Sequence, residues 1–330
     1  MKRDIEAICD GKTLSAEEAR DLLCRLVSED VSSANIAALL TALRSRGITV
    51  ELLEGFSQGL LDLAVPVNLG GDDFLDLCGT GGDGKRTFNI STTVAFVVAA
   101  AGYRVAKHGN NAVSSSCGSS NVLQALGVPL HGDVDNLRRG FERNGICFIH
   151  APLFHPALKR VALVRQELGF RTIFNALGPL VNPARPRFQL SGVYSLELQR
   201  LYSYLLQRRG DRFAVVHTLD GHDEVSLTAP TRLRSSLGEV DLTPESFGLR
   251  GVSAEELMAP AEIDRCAKLI VQILEGRGTT AQEAVVVANA ALVMRAYDGG
   301  GELAEYVERA RTAIHSGAAR AVLTRVREGA

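Results

Sequence analysis

The chain lacks an excess of either charge: 36 Lys and Arg stand against 38 Asp and Glu, a formal net charge of −2. Nucleic-acid and anionic-membrane binders that work through their general field carry a basic surplus, which is missing here. Paired cysteines are missing too. Cys9, Cys24, Cys78, Cys117, Cys147 and Cys266 are scattered with no C-x-x-C spacing. That argues against a disulfide framework or a zinc site and fits reduced thiols in a cytosolic protein. The longest apolar run, VAFVVAAAG (Val94 to Gly102), falls well short of the ~20 residues that span a bilayer. MKRDIEAICDGK has no apolar core of a secretory signal, and no repeat or low-complexity tract occurs. The expectation is a soluble, cytoplasmic protein with neither membrane nor nucleic acid as partner.

What is present is ordinary globular material, 46% hydrophobic and 22% charged over 330 residues, enough for a large core and two domains. Residues 1–70 read as helices only. Ser15 and Glu18 have capping-box spacing ahead of Leu22, Leu23 and Leu26. Ile36, Leu39, Leu40 and Leu43 recur at helical spacing up to a stop at Gly47. Thr49 caps a third helix that carries Leu53, Phe56 and Leu60 inward, and VPVNLGGDD (65–73) has linker composition. Beyond it strand and helix alternate. FLDLC (74–78), YRVAK (103–107), ICFIH (146–150), LSGVYS (190–195) and FAVVH (213–217) are strand candidates. Helices are predicted from about Ser91 to Ala101, over Ser119 to Leu126 and along SLELQRLYSYLLQRR. The Pro- and Gly-rich stretch Arg171 to Phe188 reads as an ordered connection. The last third reads as mostly helical, with AVVVANAALVM (284–294) suited to close packing. The expected fold is α/β: a small all-helical N-terminal domain over 1–70, then a large α/β domain over 71–330 with a central, mostly parallel sheet.

In DLCGTGGDGKRTFNIS (76–91), Gly79, Gly81 and Gly84 spell the dinucleotide pattern G-x-G-x-x-G. That fold needs a helix starting within the pattern and an acid at the end of the next strand. KRTFN intervenes, and the second strand ends in Lys107 and His108. Gly79, Gly84 and Lys85 fit a triphosphate loop until Arg86 takes the place of its metal-binding hydroxyl. A third kind of anion cradle remains. Asn89, Ser91, Thr92 and Thr93 crowd a helix N-terminus, where free N–H groups and the helix dipole favour an anion. KHGNNAVSSSCGSSN (107–121) repeats the arrangement after the next strand. Two such loops lie side by side at the carboxyl edge of a sheet, fit for one molecule phosphorylated at two places. Asp223 and Glu224, in TLDGHDEVSL, follow a strand to the same edge. Two carboxylates plus phosphate oxygens and water make a Mg²⁺ inventory, to which Asp83 either adds or instead bonds its own turn. On residue grounds, Arg165 in KRVALVRQELGF and His155 in APLFHPAL stay open between structural and functional readings.

Four segments in order resemble the signatures of the anthranilate phosphoribosyltransferase family of tryptophan biosynthesis. They are GTGGDGKRTFNIST, KHGN with VSSSCGSSNVLQALG, APLFHPALKRVALVRQELGFRTIFNALGPLVNPA, and VVHTLDGHDEVSL. The resemblance runs from the N-terminal helices to near the C-terminus. It implies transfer of phosphoribosyl from 5-phosphoribosyl 1-pyrophosphate to the amine of anthranilate, with Mg²⁺, in a homodimer. It implies a donor site of Gly79, Gly82, Asp83, Thr87, Asn89, Ile90, Ser91, Thr92, Lys107, Ser115 and Ser119. Anthranilate would meet Gly79, His108, Asn110, His155 and Arg165, and the metal Ser91, Asp223 and Glu224. No residue is singled out as acid or base. The resemblance also implies that about 171–186 returns to the helical domain. The chain departs from the family in having Asn111 where many members read Arg, Ser120, Asn121 and Gln124 where many read Ala, Asp and Glu, His222 for Leu, and Ala259-Pro260 for a Gly pair. Two other readings are a nucleoside phosphorylase of the same architecture, which has no need of the acid pair, and a nucleic-acid-binding relative, which needs a basic surface.

Overall fold

The computed structural model describes residues 1–28, 30–111 and 117–329. Four helices come first: α1 (Lys2–Cys9), α2 (Ala16–Leu26), α3 (Ser33–Arg46) and α4 (Val50–Asp62). Their ends follow the local chemistry. Ser15 and Glu18 form both bonds of a capping box, Thr49 accepts the Leu52 N–H, and Gly47 closes α3 with φ +86°. α1 is absent from the sequence reading because it buries only Ile8, too little for a visible period.

The remaining elements are β1 (Leu75–Gly79), α5 (Ile90–Ala100), β2 (Val105–Gly109), α6 (Ser119–Ala125), α7 (Val134–Asn144), β3 (Ile146–His150), α8 (Ala151–Phe154), α9 (Lys159–Leu168), β4 (Phe188–Gly192), α10 (Leu196–Arg209), β5 (Arg212–Thr218), β6 (Thr231–Ser235), β7 (Gly238–Leu242), α11 (Ile263–Leu274), α12 (Thr280–Asp298), α13 (Leu303–His315) and α14 (Ala318–Glu328). The strands form one sheet in the order β3-β2-β1-β4-β5-β6-β7. The five from β3 to β5 run parallel, and β6 and β7 add an antiparallel hairpin. That hairpin went unread in the sequence. It lies at the sheet edge, where Arg232 and Arg234 pair with Asp241 and Glu239 in place of apolar residues.

Both faces of the parallel strands are buried, so they read as continuous apolar runs. Leu75, Leu77, Val105, Ile146, Phe148, Ala214 and Val216 share a core with residues of α5, α6 and α11 to α14. On the opposite face Cys147 and Ile149 pack with Leu137 and Phe141 of α7, and Phe213 and Val215 with α10. Ile173, Phe174 and Leu180, in two short 3₁₀ turns (Ile173–Ala176 and Gly178–Leu180), and Leu177 between the turns share a core with α2, α3 and α4. The linker is tied to α8, Val65 N–H donating to Phe154 O at 2.8 Å. No helix among the described residues is long and apolar enough to cross a membrane.

Candidate functional site

The loop after β1 approaches the loop after β5 across β4. Gly81, Gly82 and Gly84 all take positive φ, so the chain folds back on itself there. β4 ends in Gly192 because nothing larger fits: a Cβ at that position would sit 1.6 Å from Asp223 O. Asp223 Oδ2 accepts the Gly81 N–H at 2.7 Å, and Glu224 Oε1 accepts the Ser91 N–H at 2.9 Å. The acid pair thus engages the glycine loop and the first turn of α5 directly. Asn89 does not cap that helix; its amide donates to Cys117 O at 3.0 Å and ties the two loops together. Thr87 forms a bridge with Met258, Ile90 is buried in the core, and the buried Thr92 hydroxyl has no partner among the described residues. Asp83 bonds its own turn through the Lys85 N–H at 3.0 Å while facing the Asp223 N–H at 3.5 Å.

Burial, then repulsion from Asp83, pushes Asp223 up to about 7; burial, then repulsion from Asp223, raises Glu224 well above its ordinary range. Carboxylates this poorly compensated are a hard-oxygen donor set that a divalent cation would relieve, so the residues fit the Mg²⁺ that the resemblance implies. Among the described residues no three His, Cys, Asp or Glu are grouped to hold a metal. A cation here would need oxygens besides those of this acid pair.

The second loop lies beside the first. Lys107, 3% exposed, donates through Nζ to Leu77 O at 2.5 Å, and its charge reaches both Asp76 and Glu224. Ser119 Oγ donates to Asn110 O at 3.1 Å, with Asn110 itself exposed. Ser115 lies outside the described residues.

Three predicted residues meet the returning segment. His108 donates from Nδ1 to Gly178 O at 3.1 Å, and His155 from Nε2 to Val181 O at 2.9 Å. Their rings cross at 5.4 Å. Burial drives His108 down to about 3, so it is neutral, and its Nε2 is buried without a partner among the described residues. Arg165 reaches Asn175 Oδ1 at 3.4 Å and lies over the Phe174 ring, 5.5 Å from its centroid. Its Nε is buried with no acceptor among the described residues, and desolvation lowers the group to about 10. A guanidinium left with unused donors is a receptor for an anion.

Three further residues were missed. Asp76 on β1 accepts the His108 N–H at 3.1 Å and the Asn182 amide at 2.9 Å. Asn182 also donates to Ala106 O at 2.9 Å, so side chains fill the gap where β1 and β2 part beyond Leu75↔Val105. Asn289 on α12 receives the Val225 N–H at 3.1 Å and donates to Val225 O at 2.7 Å, clamping the residue after Glu224. The visible signals were an Asp within the apolar FLDLC and an Asn within AVVVANAALVM.

The chain matches the family models described as "Glycosyl transferase family, helical bundle domain" over residues 3–64 and "Glycosyl transferase family, a/b domain" over 71–320. It is 44% identical to an anthranilate phosphoribosyltransferase of Cytophaga hutchinsonii over 97% of both chains. With that of Flavobacterium johnsoniae it shares 45% over 89% of both. The crystal structure of the Thermus thermophilus enzyme superposes with a TM-score of 0.92 at 37% identity, covering 98% of each chain. A Saccharomyces cerevisiae enzyme in complex with PRPP and Mg gives 0.92 at 26% identity, over 99% of this chain and 98% of that one.

Proposed function

The chain belongs to the anthranilate phosphoribosyltransferase family, and from that premise we propose the part each residue takes in the transfer. The reaction moves the phosphoribosyl group of 5-phosphoribosyl 1-pyrophosphate to the amine of anthranilate, releasing pyrophosphate, in tryptophan biosynthesis. Breaking the C1–O bond builds an oxocarbenium-like centre and a highly charged leaving group. The site therefore needs donors aimed at pyrophosphate more than it needs a nucleophile. One observation carries the assignment: the raised acid pair Asp223 and Glu224, held by the Gly81 and Ser91 N–H groups of the first loop.

Asp223, Glu224 and Ser91 hold Mg²⁺ together with pyrophosphate oxygens. When bound, the ion neutralises charge developing on the leaving group. The backbone of Gly79, Gly82 and Asp83, with Thr87 and the Asn89–Thr92 turn, positions the pyrophosphate end of the donor. The second loop, with Lys107, Ser115 and Ser119, has no acid for a metal and takes the 5-phosphate end. Arg165 engages the anthranilate carboxylate and so aims the amine at C1, with Gly79, His108, Asn110 and His155 forming the rest of the acceptor site. An arylamine attacks without first losing a proton, and His108, held neutral with an Nε2 that no described residue bonds, provides an acceptor as the amine becomes acidic. The helical unit (1–70 with the return at about 171–186) and the α/β unit (71–330) enclose these substrates, in a cytoplasmic homodimer whose mass light scattering would check.

The test mixes purified protein, anthranilate, the donor and Mg²⁺ and follows loss of anthranilate fluorescence. Asp223→Ala with Glu224→Ala should lower the rate by at least about a hundredfold. Unchanged, Mg²⁺-dependent turnover in that double variant would move the metal elsewhere.

A further inference from the structure

Ser120 and His150 have no part in the transfer as assigned, yet they form a built polar pair. Ser120 is 1% exposed, and its hydroxyl lies 2.7 Å from His150 Nδ1. A buried hydroxyl must place its proton on an acceptor, and among the described residues the imidazole is its partner. Ser120 therefore donates to Nδ1, which leaves the ring N–H on Nε2. His150 ends β3, in register with Gly109 of β2, and is only half-buried. It lines one cavity with Lys107, Gly109, Ser119 and Ser120, all on the second loop or its flanks.

We infer that the Ser120–His150 pair is a specificity-determining contact for the 5-phosphate end of the donor, with His150 Nε2–H donating to a phosphate oxygen. The inference rests on the donor-site reading above.

Charge is the physical reason. Lys107 is the cation among the described lining residues, and its ammonium already serves Leu77 O. Asn111 stands where many members of the family have an arginine, and its own N–H is turned onto Asn110 Oδ1 at 2.7 Å. A dianionic phosphate arriving there is short of positive partners, and the imidazole adds a donor. Burial disfavours the charged ring in the free protein, so the ring takes up its second proton at Nδ1 when phosphate binds, and the Ser120 hydroxyl turns from donating to that nitrogen to accepting from it. The titratable groups on the elements around it are Lys107 and His108 of β2, His131 and Asp133 in the loop that carries Leu130, and Asp135, Arg138, Arg139, Glu142 and Arg143 of α7, which packs on β3. Burial is the cause that lowers the ring.

A pair that merely packed the end of β3 would affect stability and leave phosphate affinity alone. The probes are ribose 5-phosphate and pyrophosphate, each as an inhibitor of the full reaction competing with the donor. His150→Phe should raise the donor KM and the ribose 5-phosphate Ki about tenfold, with the pyrophosphate Ki and the anthranilate KM unmoved. Ser120→Ala should shift both constants the same way by a smaller factor. In the wild type, ribose 5-phosphate should bind more weakly as pH rises from 6.5 to 8.5. His150→Gln, which keeps the side chain's bulk and an N–H, should lose part of that slope even if His150→Phe fails to fold. Unchanged ribose 5-phosphate inhibition in the two His150 variants, or an equal rise in the pyrophosphate Ki, overturns the inference. Wild-type protein that consumes no anthranilate would instead sink the donor-site reading itself.

Discussion

Replacing Gly192 by Ala tests whether the acid pair is set by the backbone packed behind it. The added Cβ would stand 1.6 Å from Asp223 O and 3.5 Å from Gly79 Cα, whereas Cβ contacts essentially never fall below 3.0 Å. The Asp223 carbonyl must therefore retreat from 1.6 Å to at least 3.0 Å, a shift of about 1.4 Å. Gly192 cannot yield instead, because its carbonyl receives the Thr80 N–H at 2.8 Å and its register with Gly79 and Val216 is fixed on both sides. Overpacking of this kind costs about 1–3 kcal/mol of stability, which a chain of this size should survive. The catalytic loss is larger, since an ångström of misplacement can cost about a hundredfold, or ~2.7 kcal/mol of barrier. The assay is anthranilate fluorescence at saturating Mg²⁺, with circular dichroism to confirm the fold. Gly140→Ala is the control, because its Cβ meets nothing within 4 Å on α7 and should be neutral or slightly stabilising. A folded Gly192→Ala enzyme within twofold of wild type would refute the claim that this contact sets the acid pair.

Arg165→Ala should raise the anthranilate KM about tenfold or more and leave the donor KM nearly unchanged, as steady-state kinetics would show. Asn289→Ala strands the Val225 N–H and carbonyl, and should cost about 2 kcal/mol or more in urea denaturation. His108 is depressed from 6.5 to about 3 on folding, so the unfolded chain binds the extra proton first. Its contribution is complete above pH 6.5 and lost as pH falls toward 3, about 2 kcal/mol of it by pH 5. His108→Gln should flatten that part of the stability–pH curve, and an unaltered curve would show that the ring is not held neutral.

How far the sequence could be read follows from the range of the forces involved. The capping box at Ser15 and Glu18, the Thr49 cap and the strand ICFIH were legible because each depends on neighbours within a few positions. The 3₁₀ turns of 173–180 share a core with α2 to α4 but follow no 3.6-residue period, so only family likeness pointed to that return. The β6–β7 hairpin hid because its edge carries ion pairs where a core strand carries valines.

The candidate site divides in the same way. Sequence by itself determined which residue types were available: glycines that permit positive φ, adjacent acids after an apolar strand, and a polar run opening α5. Tertiary structure decided what those residues face. Glu224 meets the Ser91 N–H across 133 positions, and Asp76, which looked like part of a strand, became the anchor of the His108 backbone. Buried carboxylates and imidazoles take their protonation from whatever desolvates and surrounds them, and those surroundings arise only when distant segments close on one another.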